Sequence, residues 1–211
     1  MTDTAASHVL DRVLVLEMVR VTEAAAIAAS KLVGRGDEKA ADAAAVEAMR
    51  KAFDTLYMDG TVVIGEGERD EAPMLYIGEK VGGAPGNGPK IDIALDPLEG
   101  TTITAKAGPN ALAVLAAAEE GCLLNAPDVY MDKLAVGPGY PEGIIDLDKS
   151  VQENVEAVAA AKGVKASDII VCVLDRPRHA DLIAPLRAMG CGIQLIPDGA
   201  VAGVIAVPNP E

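Results

Sequence analysis

The sequence predicts an α/β protein, and three observations carry that expectation. Short apolar runs at Thr61 to Ile64, Ile91 to Leu95 and Ala111 to Ala118 read as buried strands behind two long helical patterns. Past the turn-rich Gly137-Pro138-Gly139-Tyr140-Pro141-Glu142-Gly143, a helix from about Ser150 to Lys162, a strand Ile169 to Leu174, a helix Ala180 to Met189 and a strand Ile193 to Ile196 alternate. That αβαβ order builds a largely parallel sheet. With 211 residues and 50% hydrophobic content the chain can bury a sizeable core, but aromatics are only 2%, so the core must be packed from Ala, Val, Leu, Ile and Met. The texture change near Gly137 divides the chain into residues 1–137 and 138–211.

Each element has its own signal. From His8 to Val33, Leu10, Leu14, Val21 and the Ala-rich Ala24 to Ala29 fit an amphipathic helix stopped by Gly34 and Gly36. A second helix, from about Asp37 to Met58, places Val46, Met49, Phe53 and Leu56 on one face and carries Asp42 near its start. Thr61 to Ile64 is the first strand, after which Gly65-Glu66-Gly67 turns tightly and projects one carboxylate. Val81 to Lys90, rich in Gly and Pro, is a loop or hairpin leading into the strand Ile91 to Leu95. Asp96-Pro97 is expected to end that strand, and a helix to begin there with Asp96 and Glu99 on its first turn. Asp-Pro-x-x-Gly-Thr equally suits an ordinary strand-to-helix turn in which Asp caps and Gly eases the backbone. Leu134 to Val136 reads as a further short strand.

Composition excludes several classes. A net charge of −14 repels a phosphate backbone over most of the surface, so no nucleic-acid partner is expected. A small anion needs only a local positive focus. Cys122, Cys172 and Cys191 are odd in number and lack CxxC spacing, so they read as buried thiols in a reducing compartment. Met1 to Ala6 shows no basic region followed by an apolar core, and no run approaches the roughly 18 apolar residues that span a bilayer. A cytoplasmic protein without membrane association is expected.

Four acidic residues stand apart from the surface charge. Asp42 interrupts a run of alanines, Glu66 follows the apolar Val62-Val63-Ile64, and Asp96 and Glu99 follow the central strand Ile91 to Leu95. Two like charges about 4 Å apart repel by roughly 4 kcal/mol at an effective dielectric of 20. Carboxylates gathered in a small volume therefore call for divalent cations, and an oxygen-only set suits Mg²⁺ or Mn²⁺.

The resemblance is carried by long blocks in order. They are Gly34-Arg35-Gly36-Asp37 with Ala41-Asp42, then Val63-Ile64-Gly65-Glu66-Gly67-Glu68-Arg69-Asp70-Glu71-Ala72-Pro73-Met74-Leu75-Tyr76-Ile77-Gly78-Glu79, then Asp96-Pro97-Leu98-Glu99-Gly100-Thr101. Leu124-Asn125-Ala126-Pro127-Asp128-Val129-Tyr130-Met131-Asp132-Lys133-Leu134, Arg176-Pro177-Arg178-His179 and Ile196-Pro197-Asp198-Gly199 follow. Together they resemble the class II fructose-1,6-bisphosphatases of the lithium-sensitive, metal-dependent sugar phosphatase superfamily. The resemblance implies a layered α-β-α-β-α sandwich, its second half incomplete here. It further implies hydrolysis of the 1-phosphate of fructose-1,6-bisphosphate to fructose-6-phosphate, as in gluconeogenesis, glycerol metabolism or Calvin-cycle carbon metabolism.

By that resemblance Asp42, Glu66, Asp96 and Glu99 are the positions for Mn²⁺ or Mg²⁺. Thr101 orients the attacking water, and Asp42 or Glu66 accepts its proton. A helix cap is a compatible role for Thr101. Substrate contacts fall on Glu99, Gly100, Thr101, Tyr130, Arg176, Pro177, Arg178, Asp198 and Gly199, with Arg176 and Arg178 holding the second phosphate. His179 is expected to bond locally. Ala200 stands where the family commonly has a second Asp. A relative acting on sedoheptulose-1,7-bisphosphate or an inositol phosphate is the alternative enzyme, and an inactive fragment that binds metal or sugar phosphate is the alternative outside enzymes. The family continues past the segment ending at Glu211 with a glycine-rich stretch and a further metal-binding glutamate, so the chain is expected to be C-terminally truncated. Self-association into a homo-oligomer is also expected.

Overall fold

The computed structural model describes residues 14–67, 72–127 and 129–207, and the fold is mixed α/β. The chain divides into two compact units, Met1–Val129 and Tyr130–Glu211, with the boundary upstream of the Gly137 link. No described helix is long and apolar enough to cross a membrane.

In the first unit, helices α1 (Val15–Ser30) and α2 (Glu38–Phe53) pack against each other and against a four-stranded sheet. The strands are β1 (Asp59–Ile64), β2 (Lys80–Val81), β3 (Lys90–Glu99) and β4 (Leu112–Glu119), in the order β2-β1-β3-β4. β1 and β3 are parallel, while β2 and β4 run antiparallel to their neighbours. Alternation puts Ile91, Ile93 and Leu95 of β3 into one core with Val21, Ala25 and Ala29 of α1 and Ala45, Met49 and Phe53 of α2. Small and aliphatic side chains dominate, as composition requires, and Phe53 is fully buried among them.

The first helix is seen only from Val15, so the expected start near His8 lies outside the described residues. Its last residue is Ser30, four short of Gly34. The intervening turn is held by α3 (Thr101–Ala105), because Gly34 donates to the Thr104 carbonyl at 2.9 Å and Gly36 to that of Ala105 at 3.0 Å. Both glycines have left-handed φ, and a Cβ at Gly34 would press on Ala107 at 3.3 Å. The Asp37 side chain then caps α2 by accepting from Ala40 at 2.9 Å.

α2 ends at Phe53, short of the Met58 expected from periodicity. Past it the chain tightens, the Thr55 and Leu56 amides turning back to the carbonyls of Ala52 and Phe53 at 3.2 and 3.0 Å, and the Gly-rich loop before β3 then binds the segment, Gly83 donating to Leu56 at 2.7 Å and Ala84 to Met58 at 3.2 Å. Only glycines permit that approach, since a Cβ at Gly82 would lie 2.3 Å from the Met58 carbonyl oxygen and one at Gly88 2.6 Å from the Met58 Cα.

A second correction concerns the central strand. Pro97 does not end β3, which runs on to Glu99. The ladder to β4 pairs Asp96 with Val114, skips, and resumes at Glu99 with Leu112, an irregularity that accommodates the missing proline donor. Pro97 is buried there. Asp96 and Glu99 accordingly leave the end of a strand, and the following helix starts only at Thr101, after Gly100 at φ 104.

The second unit holds α4 (Val151–Lys162), β5 (Ile170–Leu174), α5 (Ala180–Ala188) and β6 (Gly192–Ile196), close to the expected spans, and a further helix α6 (Ala200–Ala206) that the sequence reading did not include. β5 and β6 are parallel, in register from Ile170↔Gly192 to Leu174↔Ile196. Ser150 and Glu153 form a reciprocal capping box at the start of α4. Val155, Ala159, Ile169, Val173, Ile183 and Leu186 make a separate core. Leu134-Ala135-Val136 is not a strand; it carries no regular secondary structure. The cysteine expectation also needs correcting. All three are free thiols, but Cys122 is exposed in the turn after β4, and Cys172 and Cys191 are only partly covered.

Candidate functional site

The four acidic residues singled out above are brought together in the first unit. β1 and β3 are parallel neighbours whose last paired residues are Ile64 and Ala94. Glu66 and Asp96 each stand two residues further on, side by side at the carboxyl edge of the sheet. Asp42 comes from the second turn of α2, which packs on β3 and on α3. Glu99 closes β3, and Gly100-Thr101 opens α3 immediately after it.

Electrostatics records the proximity. Partial burial raises the Asp42 carboxyl. Glu66 is pushed up to about 7, first by burial and then by the charge of Asp42. Asp96 rises to about 8, first by burial, then by a hydrogen bond to Glu99 and the charge of Glu99, with a further contribution from Glu66. The Leu98 amide, donating to Asp96 Oδ1 at 2.9 Å, opposes that rise. Burial and the neighbouring Glu99 both disfavour a negative charge on Asp96, so its carboxyl holds a proton to higher pH than a free one would. Protonation relieves here the repulsion that a bound cation would otherwise relieve.

As the side chains stand, no three His, Cys, Asp or Glu among the described residues are gathered closely enough to hold an ion. The donor set nonetheless fits a hard divalent cation: it is all carboxylate, partly buried, and carries protons a cation would displace. Thr101 stands at the first position of a five-residue helix, with Thr104 donating to the Gly100 carbonyl at 3.0 Å. Gly100 is left-handed and abuts Ile103, where a Cβ would come within 3.1 Å of Cδ1.

The remaining expected site residues belong to the second unit. Arg176, Pro177 and Arg178 follow the carboxyl end of β5, and Asp198 and Gly199 follow that of β6. The Arg178 guanidinium lies over the Tyr130 ring, 4.4 Å from its centroid. Arg176 reaches Asp198 at 3.9 Å, an ion pair at the edge of direct contact. Two cations, an aromatic face and a carboxylate thus share one end of the β5-β6 sheet, the edge where such sheets collect ligand groups. His179 donates from Nδ1 to the Leu174 carbonyl at 2.7 Å, the local bond expected of it.

Sequence reading passed over Arg50 and Glu79, whose side chains meet at 2.6 Å beneath the Glu66 turn. They are 29 residues apart and carry no local signal that joins them.

An acidic cluster at adjoining carboxyl ends of parallel strands, followed by Gly-Thr at a helix start, defines an α/β protein with a carboxylate-lined site at its sheet edge. Residues 12–211 match the family described as "Bacterial fructose-1,6-bisphosphatase, glpX-encoded", and the chain belongs to that family. It is 53% identical over 200 residues to fructose-1,6-bisphosphatase 1 class 2 of Escherichia coli. The same identity relates it to the class 2 fructose-1,6-bisphosphatases of Escherichia coli O6:H1 and Shigella flexneri. Each match covers 95% of this chain and 59% of the relative, so the chain spans about three-fifths of the length of these proteins.

Proposed function

We propose that this chain carries the metal-binding carboxylates and phosphate-binding arginines of a phosphomonoesterase that removes the 1-phosphate of fructose-1,6-bisphosphate. The observation that supports it most is the electrostatic coupling of Asp42, Glu66, Asp96 and Glu99 at the β1-β3 edge. The names of the relatives supply the substrate.

In this reading Asp42, Glu66, Asp96 and Glu99 hold Mn²⁺ or Mg²⁺. Bound there, the cation supplies positive charge for the phosphoryl oxygens and for the departing sugar oxygen. The protein's own residues do the rest. Thr101 orients a water through its hydroxyl, and Asp42 or Glu66, both raised toward neutrality, accepts the proton that the water loses. Gly100, with no side chain, leaves the backbone open beside Glu99 and Thr101. Arg176 and Arg178 bind the second phosphate by charge-assisted hydrogen bonds. Tyr130 steadies the Arg178 guanidinium through its ring face, and Pro177 fixes the backbone between the two arginines. Asp198, paired with Arg176, and Gly199, left-handed at φ 77, bind sugar hydroxyls.

The test is phosphate release from fructose-1,6-bisphosphate and from fructose-6-phosphate, each with Mn²⁺, Mg²⁺ or chelator. A cation-dependent preference for the bisphosphate supports the reading. Turnover that survives chelation, or equal rates on the two sugars, overturns it.

A further inference from the structure

The turn that presents Glu66 is held from behind by a chain of contacts that begins on α2. The Arg50 guanidinium donates from Nε to Glu79 Oε1 at 2.6 Å and also pairs with Asp54. Glu79 is anchored to β1 through its backbone, its carbonyl accepting from Val62 at 2.9 Å. Its second carboxylate oxygen accepts the Leu75 backbone N–H. Leu75 is fully buried and sits at φ 57, the sparsely populated left-handed region that a leucine occupies only where its surroundings compel it. In that conformation its carbonyl accepts the Glu66 N–H at 3.0 Å. The same carbonyl lies so close over Gly65 that a Cβ there would meet it at 2.2 Å.

We propose that Arg50 and Glu79 are positioning residues for Glu66. Glu79 divides its two oxygens between a cation and a backbone amide. Arg50 holds that carboxylate in place, and the carboxylate holds Leu75 in its left-handed turn. Leu75 in turn fixes the Glu66 backbone beside Asp96. The pair is largely covered, with side-chain exposures of 23% for Arg50 and 12% for Glu79, so neither is positioned by solvent. Their relevance to cation binding rests on the reading of Glu66 given above.

The test uses Glu79→Gln and Arg50→Met, with Arg50→Lys as the conservative variant and Glu66→Gln as the reference. Amide hydrogen exchange in the metal-free chain reports the geometry, and calorimetric titration with Mn²⁺ reports its consequence. In Glu79→Gln and Arg50→Met the Glu66 amide should exchange roughly 10-fold faster, as expected for one weakened hydrogen bond, while Ile93 at the centre of β3 is unchanged. Mn²⁺ should bind about 10-fold more weakly, and Arg50→Lys should recover most of both effects. An unaltered Glu66 amide, or Ile93 accelerating as much as Glu66, overturns the positioning role. Unaltered Mn²⁺ affinity in Glu79→Gln, where Glu66→Gln does lose affinity, overturns its consequence for the cation. If Glu66→Gln itself leaves Mn²⁺ affinity intact, the cation reading of Glu66 fails, and positioning is decided by the exchange ratio alone.

Discussion

Glu66 and Asp96 each stand two residues beyond the last paired residues, Ile64 and Ala94, of adjacent parallel strands, and the charge of Glu66 helps to raise the Asp96 carboxyl. A parallel pair carries both chains off the sheet at the same edge. The two carboxyls are therefore neighbours by register, with no need for a mobile loop to bring them together.

That arrangement makes the metal-free protein pH-sensitive in a defined direction. Both groups have folded values raised above their ordinary ones, Glu66 to about 7 and Asp96 to about 8. Folded protein thus binds more protons than unfolded chain, and stability falls as pH rises. The contribution is complete below about pH 4 and is lost as pH climbs through 7 and 8. The melting temperature of the chelated protein should drop by a few degrees between about pH 5.5 and 8.5, and Mn²⁺ should raise it more at the upper end. Scanning calorimetry of wild type beside Glu66→Gln/Asp96→Asn checks this. The same slope in the double variant would sink the assignment.

Replacing Asp96 by Asn should separate stability from function. Asn mimics the neutral carboxyl, so the metal-free melting temperature should be unchanged near neutral pH and about 2–4 °C higher above about pH 8, where the wild-type carboxyl would carry a charge against Glu99 and Glu66. If Asp96 is a ligand and not merely a support, Mn²⁺ affinity and phosphate release should fall by at least about 100-fold. A destabilised Asp96→Asn with normal Mn²⁺ binding would show Asp96 to be structural.

In the second unit, Arg176→Ala and Arg178→Ala should act on substrate binding. Each charge-assisted bond to phosphate contributes about 1.5–3 kcal/mol, so KM for fructose-1,6-bisphosphate should rise roughly 10- to 100-fold while kcat stays within a few-fold. Tyr130→Leu, which removes the ring under Arg178, should raise KM less, by about 2- to 5-fold. Steady-state kinetics reads all three, and an unchanged KM in both arginine variants would remove them from the substrate site.

Gly65→Ala probes the turn itself. The added methyl would meet the Leu75 carbonyl oxygen at 2.2 Å and Val62 Cγ1 at 2.6 Å, with backbone on one side and core on the other. Destabilisation of about 1–3 kcal/mol is expected, measured by urea unfolding. Wild-type stability would mean that the turn relaxes freely and does not hold Glu66 in place.

The sequence by itself determined where the candidate residues fall along the chain and, for most of them, which element they adjoin. Asp42 on a small-residue helix, Glu66 between two glycines, Asp96 and Glu99 just beyond an apolar run, and two arginines beyond β5 are all local facts, visible because periodicity, caps and turns act over a few residues. The parallel β5-β6 pair was legible from the αβαβ order of the second unit. Tertiary structure decided what lies beyond that range. It carried β3 through Pro97, because the ladder to β4 resumes at Glu99 and compensates for one missing donor. It ended α2 at Phe53, where the Thr55 and Leu56 amides close back three residues and the following segment is bound across the chain by Gly83 and Ala84. It left Cys122 exposed, although the flanking residues read as apolar, because the turn after β4 points that segment away from the core. The register of β1 against β3, and the reach of Arg50 to Glu79, depend on packing between segments distant in sequence, and no local pattern encodes such a distance.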